Sequence, residues 1–411
     1  MKSHVSNRRS FLQTTLAAGA TLGLVEASSA AQSNAASSRD LRISGVETFL
    51  LEHQLPRAIG PSTAMYRKRT SLLVKISTDA GLVGWGETAP LGGVRGLIEK
   101  QLAPALIGQN PLEHRKLWRR LWGPNFGNGL AVGAVDVALH DLRGKALGLS
   151  VADMYGGRLR DRVPAYASAM NYTEGLEPEE QYPAEAADLT RRGFRAMKMR
   201  LGGLSIRRDR AAAAAAREAV GPDVKLMADG NGAYSMGTAI EMGRHLEDLG
   251  FYFFEEPLPQ APRYAGYETL TAKLDIPIAA GEVLDSRGAA KDLIARHAMR
   301  IIQPDVSLCG GIAECLFVAE MSRLWGIRCN PHCWGGGLTI AATLQVLSLL
   351  PDASWARTTE TPMLEFDVYE NPFREKLITE PSVLKDGFVD VPQGPGLGVE
   401  VDENVLRRYT V

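Results

Sequence analysis

Between residues 198 and 332 the chain repeats a short apolar run that ends in an ionisable residue and is followed by a helical pattern. The residues at the ends of five such runs are Asp229, Glu255, Glu282, Asp305 and His332, and neighbours in this series lie about 23 to 27 residues apart. This spacing is typical of strand–helix units in a parallel barrel, whose active site gathers at the carboxyl ends of the strands. The sequence therefore predicts a (β/α) barrel with these side chains facing one another across its mouth.

Length and charge limit the remaining possibilities. The chain has 411 residues, of which 45% are hydrophobic, so it can bury a barrel-sized core and still carry a second domain. Its formal net charge of −1 gives no basic surface for nucleic acid and no polybasic patch for a membrane. We therefore expect the partner to be a small molecule.

The first 31 residues have the pattern of a twin-arginine export signal. Arg8 and Arg9 precede Ser-Phe-Leu and an apolar run from Thr14 to Val25, which is too short to span a bilayer. Small residues then offer a cleavage site, and residues 32–40 form a small polar linker. We expect a periplasmic mature protein that starts near Ala31; the alternative is a disordered tail with a chance Arg-Arg pair.

Residues 41–160 predict a smaller α+β domain. Two apolar runs around the turn at residues 79–81 predict a hairpin, and Ala131 to Leu147 has apolar residues at helical spacing. The segment from Leu55 to Arg69 is rich in Pro, Gly and Ser, which predicts a mobile loop.

From residue 161 to residue 370 the pattern alternates strictly between strand and helix. Such alternation implies parallel strands joined by right-handed connections. The last strand is expected between Trp355 and Glu365. Residues 371–411 show no repeat and are expected to pack back on the first domain.

Three carboxylates, those of Asp229, Glu255 and Glu282, come from consecutive predicted strands. Carboxylates that converge in one cavity repel each other unless a cation neutralises them, and all-oxygen acidic ligation suits a hard divalent ion such as Mg²⁺. The alternative is that they are ordinary strand-end carboxylates paired with Arg or Lys. Their equivalent positions favour a metal site.

Basic residues lie beside this acidic cluster. Asp305 and His332 end neighbouring strands, and a carboxylate beside an imidazole fixes its tautomer and makes it a competent base. Lys198 and Arg200 are two apart on one strand, so both point inward, where they can hold an anionic substrate. Four cysteines lie nearby, and zinc binding is conceivable, but without a second pair at ligand spacing buried thiols are favoured: Cys309, Cys315, Cys329 and Cys333.

These motifs together resemble the enolase superfamily, specifically the mandelate racemase subgroup of the mandelate racemase and muconate lactonizing enzymes. The matching pieces are the run from Ala134 to Lys145, Asp229-Gly230-Asn231, Glu255-Glu256-Pro257, Gly281-Glu282, Gln303-Pro304-Asp305 with Gly310-Gly311, and His332. The resemblance implies a (β/α)7β barrel under an α+β capping domain. It also implies one Mg²⁺ per subunit, held by the three carboxylates, and removal of the α-proton of a carboxylic acid to give an enediolate.

The same resemblance assigns roles residue by residue. It implies that Asp305 and His332 form the catalytic dyad and that Lys198 and the residue at 200 belong to the catalytic strand. Glu365 matches the eighth-strand acid, with Glu360 as the alternative. The substrate contacts implied are Asn231, Tyr66 and Arg67.

One position departs from the family pattern. The usual Lys-x-Lys motif is Lys198-Met199-Arg200 here, and a guanidinium resists the deprotonation that a second base needs. We therefore expect an acid-sugar dehydratase that uses one histidine and gives a 2-keto-3-deoxy acid. A racemase or epimerase and a sugar-lactone cycloisomerase are the alternatives, and an inactive periplasmic binding protein is a remote one. A homo-oligomer is expected.

Overall fold

The structure is a computed structural model, and it describes residues 40–123, 127–353 and 359–411. The predicted export signal and Trp355 lie outside the described residues. Leu41–Val411 forms one compact unit. Within the described residues no helix is both long and apolar enough to cross a membrane.

The chain begins with an antiparallel sheet covered by helices. Strands β1 (Ile43–Gly60), β2 (Tyr66–Thr78) and β3 (Val83–Thr88) are joined by short turns, and the predicted hairpin is β2–β3. The helical part comprises α1 (Val94–Leu97), a π-helical turn (Ile98–Leu102), α2 (Ala103–Leu106), α3 (His114–Trp122), α4 (Gly129–Leu147) and α5 (Val151–Met154). Apolar faces of β2 and α4 share one buried core, which fixes the sheet on this helix.

The prediction of a mobile loop from Leu55 to Arg69 is wrong for most of that segment. Strand β1 continues to Gly60 and β2 starts at Tyr66, so only residues 61–65 form the turn. A register shift between Gln54 and Ile59 lets the strand absorb the proline at position 56 without losing the pairing of Ile59 with Tyr66. The turn residues suggested a loop, whereas burial of Ile59 keeps the segment extended.

The second half forms a parallel barrel. Its elements are β4 (Arg162–Ser168), β5 (Tyr172–Thr173), α6 (Pro178–Arg191), β6 (Ala196–Arg200), α7 (Ile206–Val220), β7 (Lys225–Asp229), α8 (Met236–Asp248), β8 (Phe253–Glu255), α9 (Tyr267–Lys273), β9 (Ile278–Ala280), α10 (Arg287–Ala295), β10 (Ile301–Ile302), α11 (Ile312–Leu324), β11 (Arg328–Cys329), α12 (Gly337–Leu349) and β12 (Leu364–Asp367). Apart from β5, which pairs with β1, the strands pair in parallel from β4 through β11, and β12 pairs with β4. This is the predicted (β/α)7β order. The last strand starts later than predicted, at Leu364.

The inside of the barrel is layered because inward-facing residues recur every second position along a strand. The lower layer is apolar and includes Tyr166, Met227 and Phe253. The next inward residues towards the carboxyl ends are polar, and they line the mouth. The apolar layer therefore supports the polar one from below.

The tail packs on both parts of the chain. It contains α13 (Pro372–Glu375), β13 (Leu384–Lys385), β14 (Phe388–Asp390) and α14 (Glu403–Tyr409). The backbone N–H of Val411 donates to the carbonyl oxygen of Leu50 in β1 at 3.0 Å, so the tail contacts the first domain. Strand β14 pairs with β4, a barrel contact that the sequence did not predict.

Candidate active site

Lys198 is the central cation of the barrel mouth. Its side chain is fully buried, and its Nζ lies 2.6 Å from Glu255 Oε1, 2.8 Å from Glu365 Oε1 and 3.5 Å from Asp229 Oδ2. Burial by itself lowers the pKa of Lys198, but the three carboxylates outweigh it and raise the pKa above its usual value. Lys198 is therefore a fixed positive charge at neutral pH.

Arg200 is also buried and is held from several sides. Its Nη1 pairs with Asp229, its Nε donates to Asn171 Oδ1 at 3.3 Å, and its Nη2 donates to Ser168 Oγ at 3.1 Å. Burial lowers the pKa of Arg200, and Asp229 with the other carboxylates raises it above the usual value. A guanidinium held in this way cannot act as a base at neutral pH.

The acidic residues of the mouth are buried, or half-buried in the case of Glu282, at some electrostatic cost. Burial raises the pKa of Glu255 to about 8 although Lys198 opposes the shift, and burial also raises the pKa of Glu282. Glu255 Oε2 accepts a hydrogen bond from Gln303 at 2.7 Å. Raised pKa values mean that adding a cation would stabilise the charged forms, so this donor set fits a hard divalent ion.

Each of these carboxylates has its own cationic neighbour in the structure. Asp229 pairs with Arg200, Glu255 with Lys198, and Glu282 Oε2 lies 3.4 Å from His332 Nε2. Among the described residues, the only group of three or more possible ligands whose atoms all lie within 4.8 Å of one another is a different one, formed by His114, Asp136 and His140.

That second group lies in the first domain and is already satisfied by hydrogen bonds. His114 Nε2 lies 2.6 Å from Asp136 Oδ1, and His140 Nδ1 lies 2.9 Å from the Asp136 carbonyl oxygen. His140 Nε2 lies 2.8 Å from the Tyr155 hydroxyl. These contacts give the three side chains a structural role.

The predicted dyad is present. His332 Nδ1 lies 2.7 Å from Asp305 Oδ2, and because a carboxylate only accepts, Nδ1 donates. Asp305 Oδ1 is held by the backbone N–H and the hydroxyl of Ser307, at 2.7 and 2.6 Å. Burial lowers the pKa of His332, but Glu282, Glu365 and Asp305 raise it to about 10. At neutral pH this pKa keeps the ring protonated, with Nε2 3.4 Å from Glu282 Oε2. A cation held by the carboxylates would offset the negative charge that raises the pKa, and would favour the neutral ring that a base needs.

The structure distinguishes the two candidates for the eighth-strand acid. Glu365 is fully buried in the mouth, accepting from Ser168 Oγ at 2.7 Å and from the Tyr166 hydroxyl at 3.0 Å. Burial raises its pKa, but Lys198 and His332 outweigh burial and hold the pKa well below its usual range. Glu360 lies at the opposite end of the barrel, beside Tyr252 and Lys225. Lys225 is the first residue of β7, and Tyr252 directly precedes β8.

The first domain contributes a buried arginine to the mouth, and it is not the predicted one. Arg67 is 61% exposed and pairs with Glu174, away from the other candidate site residues. Arg69 is 5% exposed, and its Nη2 lies 2.9 Å from Asp367 Oδ2, without hydrogen-bond geometry. Asp367 could have been found from the sequence, because it lies two residues after Glu365 and so faces the same side.

Two aromatic side chains complete this side of the mouth. The guanidinium of Arg69 lies 4.9 Å from the ring centroid of Trp334, and that of Arg200 lies 5.6 Å from it. Tyr66, predicted to contact substrate, has a buried hydroxyl without a hydrogen-bond partner in the described residues. Asn231 donates from its backbone to Asp229 Oδ1 at 2.8 Å, so it lies within the cluster.

No group of three or more possible metal ligands found in the described residues includes a cysteine. All four are free thiols, three of them buried and Cys329 half-buried. The prediction of buried thiols holds for Cys309, Cys315 and Cys333, and Cys329 is only half-buried.

Comparison with known families identifies this arrangement. The model for the N-terminal domain of mandelate racemase / muconate lactonizing enzyme matches residues 46–156, and the enolase C-terminal domain-like model matches residues 181–405. The chain belongs to the mandelate racemase / muconate lactonizing enzyme family. The α+β domain is therefore the capping domain of this family, and the parallel barrel is its catalytic domain.

Three relatives in this family bear on activity. The chain is 34% identical to D-galactarolactone cycloisomerase of Agrobacterium fabrum, covering 90% of this chain and 99% of that one. It is 32% identical to arabinonate dehydratase of Saccharolobus solfataricus, over 82% of this chain and 89% of that one. The crystal structure of 3,6-anhydro-D-galactonate cycloisomerase from Zobellia galactanivorans superposes with a TM-score of 0.79 at 31% identity, covering 90% of this chain and 99% of that one.

Proposed function

We propose that the protein is an Mg²⁺-dependent acid-sugar dehydratase that converts a sugar acid to a 2-keto-3-deoxy acid. One observation carries the proposal: the mouth has a hydrogen-bonded His332–Asp305 base on one strand pair, whereas Arg200, where the family has lysine, is ion-paired with Asp229. Dehydration can use a single histidine, whereas inversion of a stereocentre needs an acid and a base on opposite faces.

Asp229, Glu255 and Glu282 would hold the Mg²⁺. The ion, when bound, supplies positive charge that stabilises the enediolate. We assign one ion per subunit, because Asp229 and Glu255 both lie beside Lys198, and Glu282 lies beside His332 at the same mouth.

His332 moves the proton. The neutral ring takes the α-proton at Nε2, and the electron pair of the C–H bond enters the enediolate. The enediolate then expels the β-hydroxyl as its C–O bond breaks, and protonated His332 gives its proton to the leaving oxygen. One water is released, and the enol product becomes the 2-keto acid.

The other charged residues hold the anionic substrate and its enediolate. Lys198 keeps a fixed charge because three carboxylates surround it, and Glu365, buried beside it, lies on the same side as His332 Nε2, 3.9 Å away. Arg200, Tyr66 and Asn231 line the rest of the mouth, and we assign them to substrate binding. Arg69 replaces Arg67 in that role.

A lactone cycloisomerase is the second candidate, favoured by the cycloisomerase relative that aligns over 99% of its length. Its first step would be the same proton removal by His332. The enediolate would then expel a lactone ring oxygen in place of a hydroxyl, which opens the ring without releasing water. Mass spectrometry separates the two reactions, because only dehydration lowers the mass of the substrate by that of one water.

The test is His332→Asn, assayed against a library of aldonic and aldaric acids and their lactones with Mg²⁺. We expect the wild-type protein to form a 2-keto acid. We expect the variant to lose turnover and all exchange of the α-proton with solvent deuterium, while it still binds Mg²⁺. If the variant still exchanges the α-proton of one stereoisomer, a base exists on the opposite face and a racemase or epimerase replaces the dehydratase.

A further inference from the structure

Five of the seven described barrel helices have no N-cap side chain that accepts a hydrogen bond, and two of the five, α11 and α12, follow the strands of the dyad. Helices α11 and α12 have Gly311 and Gly336 at the N-cap, and no side chain at either N-cap accepts a hydrogen bond. Helices α8 and α10 differ, because Ser235 and Ser286 cap them from their own N-cap positions. The free N–H groups of a buried helix start need an acceptor from elsewhere.

The capping domain supplies that acceptor for α12. Glu87, at the end of β3 and 2% exposed, accepts from the Gly336 backbone N–H at 2.6 Å through Oε1 and from Thr339 at 3.0 Å through Oε2. A third hydrogen bond comes from the Ser71 hydroxyl at 2.7 Å. A carboxylate here also meets the positive end of the helix dipole. Glu87 thus performs the role of an N-cap acid from a different domain.

Asp136 does the same for α11. It lies in α4 of the capping domain, is fully buried, and accepts from the Ile312 backbone N–H at 2.8 Å through Oδ2. Burial by itself raises the pKa of Asp136, but His140 and His114 outweigh it and hold the pKa well below its usual range. The carboxylate is therefore charged where it meets the helix.

The two glycines make room for these carboxylates. A Cβ at Gly336 would lie 2.7 Å from Glu87 Oε1, and one at Gly311 would lie 2.0 Å from Asp136 Oδ2. Gly311 also has a φ of +111°, which side chains rarely adopt. A residue with its own capping side chain could not occupy either position without displacing the acid.

Helices α11 and α12 are the two that follow the dyad strands. Asp305 lies between β10 and α11, and His332 lies between β11 and α12. Next to Glu87, Thr88 donates from Oγ1 to the Ser307 carbonyl at 3.1 Å, and Ser307 in turn holds Asp305 Oδ1. Contacts from the capping domain therefore reach both loops that carry the dyad.

We infer that Glu87, Thr88 and Asp136 are positioning residues, through which the capping domain sets the geometry of the His332–Asp305 hydrogen bond. The catalytic part of this inference rests on the proposed function of His332 as the base. The geometric part does not, since it concerns the dyad whatever reaction it serves.

The test uses the full mature chain with Mg²⁺ and measures two quantities. The first is the split between kcat and KM. The second is the downfield proton NMR signal of the His332 Nδ1–H, assigned by its loss in His332→Asn. Glu87→Gln keeps the shape of the side chain but removes its charge. We expect kcat to fall roughly tenfold to hundredfold with KM little changed, because a small displacement of a base strongly lowers the rate of the catalysed step. We expect the signal to shift or broaden. Asp136→Asn should act in the same direction.

Matched variants separate positioning from general destabilisation. Ser235→Ala removes the cap of α8, so it should lower the thermal midpoint without moving the signal or kcat. Thr88→Val removes the single hydrogen bond to Ser307, and it should lower kcat and move the NMR signal by less than a change at Glu87. Thr88→Ser keeps the hydroxyl, so kcat and the signal should return to their wild-type values. If Glu87→Gln and Thr88→Val only lower the thermal midpoint, as Ser235→Ala does, the inference is overturned. If the protein proves not to be a dehydratase, the NMR comparison of the variants still tests the inference, because it does not depend on the reaction catalysed.

Discussion

Lys198 and Arg200 lie two residues apart on β6, and both are buried among carboxylates in the mouth. Such a cluster is costly unless charges of opposite sign compensate, since buried unpaired ions lose several kcal/mol of hydration free energy. In the structure the two cations and His332 compensate the acids in part, and the raised pKa of Glu255 shows that compensation is incomplete. A divalent ion would complete it.

This balance predicts the effect of removing one ligand charge. Glu255→Gln should lower Mg²⁺ affinity by roughly a hundredfold or more and abolish turnover, because ligand charge offsets the cost of dehydrating the ion. Isothermal titration of metal-free protein measures the affinity. Glu314→Gln is the control, since Glu314 is a buried glutamate that pairs with Arg287 and should keep the affinity of the wild type. Full activity in protein shown to be free of metal would refute the assignment.

At the scale of elements, β2 and β12 meet through the Arg69–Asp367 pair. Strand β2 belongs to the capping domain and β12 closes the barrel, so this buried ion pair ties the two sheets together beside Trp334. Arg67, on the same strand, makes an exposed pair. Exposed pairs contribute up to about 1 kcal/mol, whereas breaking a buried pair costs about 3–5 kcal/mol.

The two arginines therefore form a matched comparison. Arg69→Met should lower the free energy of unfolding by roughly 2 kcal/mol or more, somewhat below the cost of a fully orphaned acid because Arg374 remains 3.4 Å from Asp367. It should also raise KM, since Arg69 borders the mouth. Arg67→Met should change stability by less than about 1 kcal/mol. Thermal midpoints and steady-state kinetics check this, and equal effects of the two substitutions would contradict it.

The elements that sequence predicts best are those whose pattern is local. The barrel strands are predicted by short apolar runs and the helices by apolar residues at 3.6-residue spacing. The residues that face the inside of the barrel are predicted because they recur at every second position of a strand. The prediction for the segment from Leu55 to Gly60 was wrong because its turn-forming residues suggested a loop. The strand that pairs with it, β2, becomes its partner only in the folded sheet. Glu360 and Glu365 could not be separated before the true start of β12 was known. The sequence did not predict that Glu87 and Asp136 accept hydrogen bonds from the starts of α12 and α11, because these partners lie well over a hundred residues away in the chain.

For the whole molecule, the first 31 residues carry a prediction of their own. We propose that Arg8 and Arg9 direct export of the folded protein by the twin-arginine route. Replacing both with lysine should retain the protein in the cytoplasm, as measured by fractionation of cells that produce the full chain. The mature sequence is unchanged by that substitution, so activity of the retained protein serves as the control for folding. Unaltered export would contradict the proposal.

The glycine starts of α11 and α12 restrict how this protein can recombine with its relatives. A chimera that joined this barrel to a foreign capping domain would leave two helix starts without acceptors, unless the donor brought acids to the same two places. Each buried N–H left unpaired costs about 1–3 kcal/mol. A working chimera would therefore need a capping domain that places an acid opposite each of these two glycines.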